Sequence, residues 1–156
     1  MKVLFLCTAN SCRSILSEAL FNHLAPNGMR AWSAGSQPRG EVHPLSLETL
    51  RKAGIATEGL YSKSSDVHES LNPDLVITVC DKAAGETCPV YFGTALRAHW
   101  GLADPSEGEA DESTMAIAFD ATLAHIRRRI EAFLVLPFAQ LDRAGLQTEL
   151  ARIGNL

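Results

Sequence analysis

Leu75-Val76-Ile77-Thr78-Val79 is a short apolar run, rich in β-branched residues and introduced by Pro73-Asp74. A strand of this composition is buried on both faces, and in a soluble chain that means a parallel sheet covered by helices. Other segments fit the same architecture. Lys2–Leu6 reads as a second buried strand, Met29–Ala34 as a third running into Gly35, and Ala95–Trp100 as a short fourth. Between them lie helical periodicities. Ser14–Ala25 carries Ile15, Leu16, Ala19, Leu20 and Leu24 and stops at Pro26-Asn27-Gly28. Pro44–Ala53, closed by Gly54, presents Leu45, Leu47 and Leu50, with Ile55 beyond. A long helix is expected over Ser113–Leu136, with Ile117, Phe119, Ile126, Ile130, Phe133 and Leu134 among its apolar positions. A shorter one over Asp142–Ile153 follows Pro137. Tyr61–Asp66 and Lys82–Gly93 read as loops, and Arg127-Arg128-Arg129 as largely solvated.

Strands alternating with helices predict an α/β fold: one doubly wound domain, a four-stranded parallel sheet with helices on both faces and right-handed crossovers. Residues 1–137 form its body and 138–156 a helical extension of it. With 156 residues, the chain is long enough for one full core.

The formal charge of −4 gives no support to a nucleic-acid or membrane partner. The apolar run at Met1–Leu6 is too short for an export signal, and no stretch approaches the roughly 18 apolar residues of a membrane span. The cytoplasm is the expected location. Four cysteines, Cys7, Cys12, Cys80 and Cys88, in a chain without an export signal point to chemistry rather than structural bridges.

The strongest local signal is Cys7-Thr8-Ala9-Asn10-Ser11-Cys12-Arg13-Ser14, set between the first strand and the first helix. Ligands of open α/β sheets bind outside the carboxyl ends of strands, where this loop lies. Loop amides and a helix N-terminus cradle a tetrahedral oxyanion, and the Arg13 fork suits bidentate contact with its oxygens. The same positive field favours Cys7 as the thiolate nucleophile. Farther on, Asp104-Pro105 follows the fourth strand, a pair that on its own is an ordinary loop start.

This loop and the later Asp-Pro pair resemble the low-molecular-weight tyrosine phosphatase superfamily, from Lys2 to about Phe133. Val79-Cys80, Cys88-Pro89 and His99-Trp100-Gly101 resemble in particular its thioredoxin-coupled arsenate reductases. The step from Cys80 to Cys88 is one residue longer than in that family's pattern, and Gly85 makes the extra residue easy to absorb. In the phosphatase branch a tyrosine follows Asp-Pro; here it is Ser106.

The resemblance implies an arsenic-detoxifying reductase. Cys7 attacks arsenate while Arg13 and the loop Thr8–Ser14 hold it, and Asp104 acts as general acid. A disulfide then passes from Cys7–Cys80 to Cys80–Cys88. Thioredoxin, or glutaredoxin with glutathione, is the implied reductant. Ser14 is placed to hydrogen-bond Cys7 or to cap the helix, and Cys12 has no required redox step. No tightly bound cofactor is implied, but some relatives hold potassium beside the loop; the matching positions are Asn10, Glu18, Ser33, Ser64 and Asp66. A monomer is expected. The rival readings are a tyrosine phosphatase, a zinc module, for which Cys7-x4-Cys12 and Cys80-x7-Cys88 are poor spacings, and a non-catalytic oxyanion sensor.

Overall fold

The computed structural model describes residues 1–85, 93–108 and 110–156. Its strands are β1 (Lys2–Cys7), β2 (Arg30–Gly35), β3 (Leu75–Thr78) and β4 (Leu96–His99), all parallel in the order β2-β1-β3-β4. The helices are α1 (Arg13–Leu24), α2 (Pro44–Lys52), α3 (Asp81–Ala84), α4 (Glu112–Leu134) and α5 (Arg143–Gly154).

The order of strands places the site. β2 lies on one side of β1 and β3 on the other, so the two crossovers part at the carboxyl ends of β1 and β3. Such a switch point opens a crevice. Register pairs Leu6 with Thr78, and the Val79 amide donates to the Leu6 carbonyl at 2.9 Å. Cys7 at the end of β1 and Cys80 just past β3 therefore emerge side by side.

Alternation along β1 divides the core. Val3, Phe5 and Cys7 enter the larger cluster, together with Leu16, Leu20 and Phe21 of α1, Leu50 of α2, and Phe119, Ile126 and Phe133 of α4. Leu4 faces a smaller cluster with Ala34, Val76 and Ala95. Phe5 sits against Phe21 and Trp100, with ring centroids 6.0 and 6.3 Å away. A buried indole needs a partner for its N–H, and Trp100 Nε1 donates to the Leu150 carbonyl at 3.0 Å. Leu150 and Ile153 are fully buried in the larger cluster, so α5 completes that core.

Two local expectations are corrected. Within the expected loop after β3, Cys80 caps a short helix, α3. Arg129 is buried, unlike exposed Arg128, because helical spacing sets it with Ile126, Ile130 and Phe133. Its guanidinium donates to the carbonyls of Gly101 and Gly154, each at 3.0 Å, tying α4 to the segment after β4 and to α5. Among the described residues, no helix is long and apolar enough to cross a membrane.

Candidate active site

Between Cys7 and α1 the backbone carbonyls of Thr8, Ala9 and Ser11 are held from outside. Gln37 N–H donates to Thr8 O at 2.9 Å. Ala9 O receives Arg39 N–H at 2.9 Å and the Ser62 hydroxyl at 3.0 Å. Ser11 O receives His43 N–H at 3.1 Å and the Ser46 hydroxyl at 2.8 Å. A trans, planar peptide directs its N–H opposite to its carbonyl. With these carbonyls bound outward, the amides of Ala9, Asn10 and Cys12 turn inward and form a nest for an anion.

Asn10 fixes the bend. Its φ of 48° is left-handed, a conformation that asparagine tolerates better than most residues. The fully buried side chain is bonded at both ends. Oδ1 accepts from Lys63 N–H at 2.9 Å, and Nδ2 donates to Ser14 Oγ at 2.8 Å and Ser33 Oγ at 3.0 Å. Gly35 lets the loop lie on the end of β2: a Cβ there would come 2.4 Å from Thr8 O and 3.0 Å from Asn10 N. Cys12, not Ser14, occupies the cap position of α1.

Arg13 crosses the mouth of the nest. Nη1 donates to Leu102 O at 3.0 Å, and Nη2 lies 3.7 Å from Asp104 Oδ2. Buried Nε has no hydrogen-bond partner among the described residues. Such an unmet donor costs free energy until an acceptor arrives, which an oxyanion oxygen can be. Asp104 Oδ1 is oriented by Ser106, whose N–H and hydroxyl donate at 2.9 and 2.7 Å. The expected acid and the expected arginine thus face each other over the loop.

Cys80 meets this assembly from β3. It receives the Ala83 N–H at 3.4 Å, lies 3.5 Å from Thr8 Oγ1, and is coupled to Cys7 in its titration. The hydrogen bond with Cys80 and burial push the Cys7 thiol up, overcoming the opposing field of Arg13. Donation by Cys7 brings Cys80 down to about 5 against the penalty of burial, with help from Thr8, the Ala83 amide and Arg13. The coupling favours a single proton on the pair, with Cys7 pushed up and Cys80 pushed down. Transfer of that proton to Cys80 makes Cys7 the thiolate.

Cys12 is held protonated by burial, in keeping with its omission from the relay. Cys88 lies outside the described residues, beyond the end of α3.

Of the positions expected to hold potassium, Glu18 and Ser33 stand around a different cation. Lys63 Nζ lies 3.5 Å from Glu18 Oε1 and 3.3 Å from Ser33 Oγ, and donates to Tyr61 O at 2.8 Å. Ser33 donates to Glu18 Oε1 at 2.5 Å. Ser64 Oγ accepts from Asp66 N–H at 3.3 Å. This set does not fit an added monovalent ion. Asn10 turns its amide nitrogen toward Ser33, and an ammonium already stands beside Glu18. Lys63, Ser46, Ser62 and Arg39 are the residues the sequence reading missed, each contributed by a distant loop or helix start.

Known proteins match this arrangement. The family model for low molecular weight phosphotyrosine protein phosphatase matches residues 2–148. The arsenate reductase of Bacillus licheniformis is 34% identical over 131 residues, 84% of this chain and 93% of that protein. The crystal structure of arsenate reductase from Archaeoglobus fulgidus superposes with a TM-score of 0.69 at 26% identity, covering 85% of this chain and 98% of that one. A thioredoxin-dependent arsenate reductase of Corynebacterium glutamicum gives a TM-score of 0.58 at 32% identity, over 83% of this chain and 61% of that one. With this loop, this sheet order and these relatives, the chain belongs to the low molecular weight phosphotyrosine protein phosphatase family.

Proposed function

We propose that this protein reduces arsenate to arsenite, with thioredoxin as its reductant. The observation that carries the reading is buried Cys80, set beside Cys7 by the pairing of β1 with β3 at the floor of an oxyanion nest. Ester hydrolysis has no use for a second sulfur there. Reduction needs one, because two electrons must come from a pair of thiols.

Cys7 thiolate attacks arsenic, an As–S bond forms, and a hydroxyl leaves as water on receiving a proton from Asp104. Inward amides and Arg13 hold the remaining oxygens. Cys80 thiolate then attacks the Cys7 sulfur. The S–S bond forms, the As–S bond breaks with its electron pair staying on arsenic, and arsenite departs. Cys88 thiolate displaces Cys7 from that bridge, giving a Cys80–Cys88 disulfide which a dithiol reduces. Free thiols and such a donor coexist in the cytoplasm, where arsenic detoxification would operate.

The test is arsenate-dependent NADPH oxidation with thioredoxin and thioredoxin reductase, set against glutaredoxin with glutathione and against hydrolysis of an aryl phosphate. Turnover of arsenate with thioredoxin is expected. Rapid aryl phosphate hydrolysis without arsenate reduction would overturn the reading.

A further inference from the structure

We propose that the Lys63 ammonium is a built-in cation that holds the oxyanion loop in shape, standing where the resemblance implied a potassium ion. Lys63 is 6% exposed, unusual for a lysine. It is not a stray buried charge, since Glu18 Oε1, Ser33 Oγ and Tyr61 O surround Nζ within 3.5 Å and the Tyr61 ring covers it at 4.6 Å. Oxygen donors around a positive charge, with an aromatic face beside them, form a cation site whose occupant is covalently attached.

The connection to the loop runs through few bonds. Lys63 neutralises Glu18, Glu18 accepts the Ser33 hydroxyl, and the Ser33 oxygen is thereby free to accept Asn10 Nδ2. Asn10 is the left-handed residue of the nest, and its Oδ1 is bound by the Lys63 backbone amide. Without a cation, Glu18 becomes an unpaired, largely buried carboxylate, and protonating it removes the reason for Ser33 to point that way. Burial lowers the Lys63 pKa while Glu18 raises it, the balance expected of an ammonium kept charged by its partner. Lys63 is therefore a positioning residue. It contacts none of Cys7, Arg13 or Asp104, and acts on the anion through Asn10.

A second monovalent cation next to this ammonium would be repelled, so the natural protein should be indifferent to potassium. Truncating the side chain should turn the site into an ion site. The experiment measures melting temperature and inorganic phosphate affinity for the parent and for Lys63→Ala, in potassium, methylammonium or choline chloride at equal ionic strength. Both readouts depend on the oxyanion nest and not on which anion is turned over, so they stand apart from the arsenate reading. In choline chloride, Lys63→Ala should melt roughly 5–10 °C lower and bind phosphate about tenfold more weakly, the scale of one broken network. Potassium or methylammonium should restore both, while the parent stays unchanged in all three salts. Phosphate affinity in Lys63→Ala that matches the parent in choline, or a deficit that no small cation corrects, would overturn the proposal. So would saturable stabilisation of the parent by potassium, which needs no variant to fold.

Discussion

Replacing Cys7 with alanine isolates the bond that gives Cys80 its charge. In the native pair, Cys7 donation is the largest cause bringing Cys80 down to about 5. A hydrogen bond to a charged acceptor contributes about 1.5–3 kcal/mol, and one pKa unit corresponds to about 1.4 kcal/mol. Losing the donor should therefore raise the Cys80 value by about one to two units, with Thr8, the Ala83 amide and Arg13 still holding it below an ordinary thiol. The assay is thiolate absorbance near 240 nm against pH, paired with alkylation rates, with Cys12 and Cys88 replaced by serine in both proteins. Parent protein should show one thiolate titrating near 5 and no second one below about 9. The same pair sets a sign for stability. Between about pH 5 and 9 the native pair binds one proton fewer than the unfolded chain, so its stabilisation grows with pH across that window and is lost as pH falls through 5. At higher pH the raised Cys7 value reverses the trend. An unmoved Cys80 titration in Cys7→Ala, or two thiolates present at pH 7 in the parent, would refute the shared-proton account.

Other outcomes follow from the same geometry. Asp104→Asn should slow formation of the first arsenic adduct by about 10²–10⁴-fold in stopped-flow while leaving phosphate affinity nearly intact; an unchanged rate would assign the proton to another donor. Cys88→Ser should release one arsenite and stop with Cys7 and Cys80 joined, seen by single-turnover assay and peptide mapping, and sustained turnover with thioredoxin would exclude the three-cysteine relay. Gly35→Ala drives a Cβ against Thr8 O and Asn10. It should weaken phosphate binding in calorimetry by about tenfold or more, since a one-ångström misplacement of a catalytic loop costs on the order of 10²-fold in rate. Unaltered affinity would mean that the loop moves freely off β2.

The sheet, its main helices and the Cys7–Arg13 loop were legible because their signals are local: apolar runs, helical spacing, and a nucleophile a few residues before an arginine. Asp104 was legible through resemblance, since Asp-Pro alone opens many ordinary loops. What could not be read depends on folding distant segments together. The outward carbonyls of Thr8, Ala9 and Ser11 leave no mark in the sequence, because any residue has a carbonyl and the donors come from positions 37 to 62. Lys63 stood unremarked in a polar loop, because Ser33 of β2 and Glu18 of α1 reach its side chain only in the fold. Arg129 was misread for a related reason. A triple arginine suggests solvent, and nothing in that stretch announces that the carbonyls of Gly101 and Gly154 would converge on one of the three. The coupling of the Cys7 and Cys80 thiols was hidden too, because it needs the adjacency of β1 and β3, which the chain order does not state.

The contact between Cys7 and Cys80 also bears on survival under peroxide stress. An exposed low-pKa thiolate is open to stepwise oxygenation, and the second step, to sulfinic acid, is in general irreversible. Here a sulfenic acid formed on Cys80 finds the Cys7 thiol beside it at the end of the neighbouring strand. Condensation expels water and gives a disulfide, the same bridge that the relay forms and its reductant can clear. The arrangement that readies the pair for electron transfer thus diverts oxidant damage into a recoverable state.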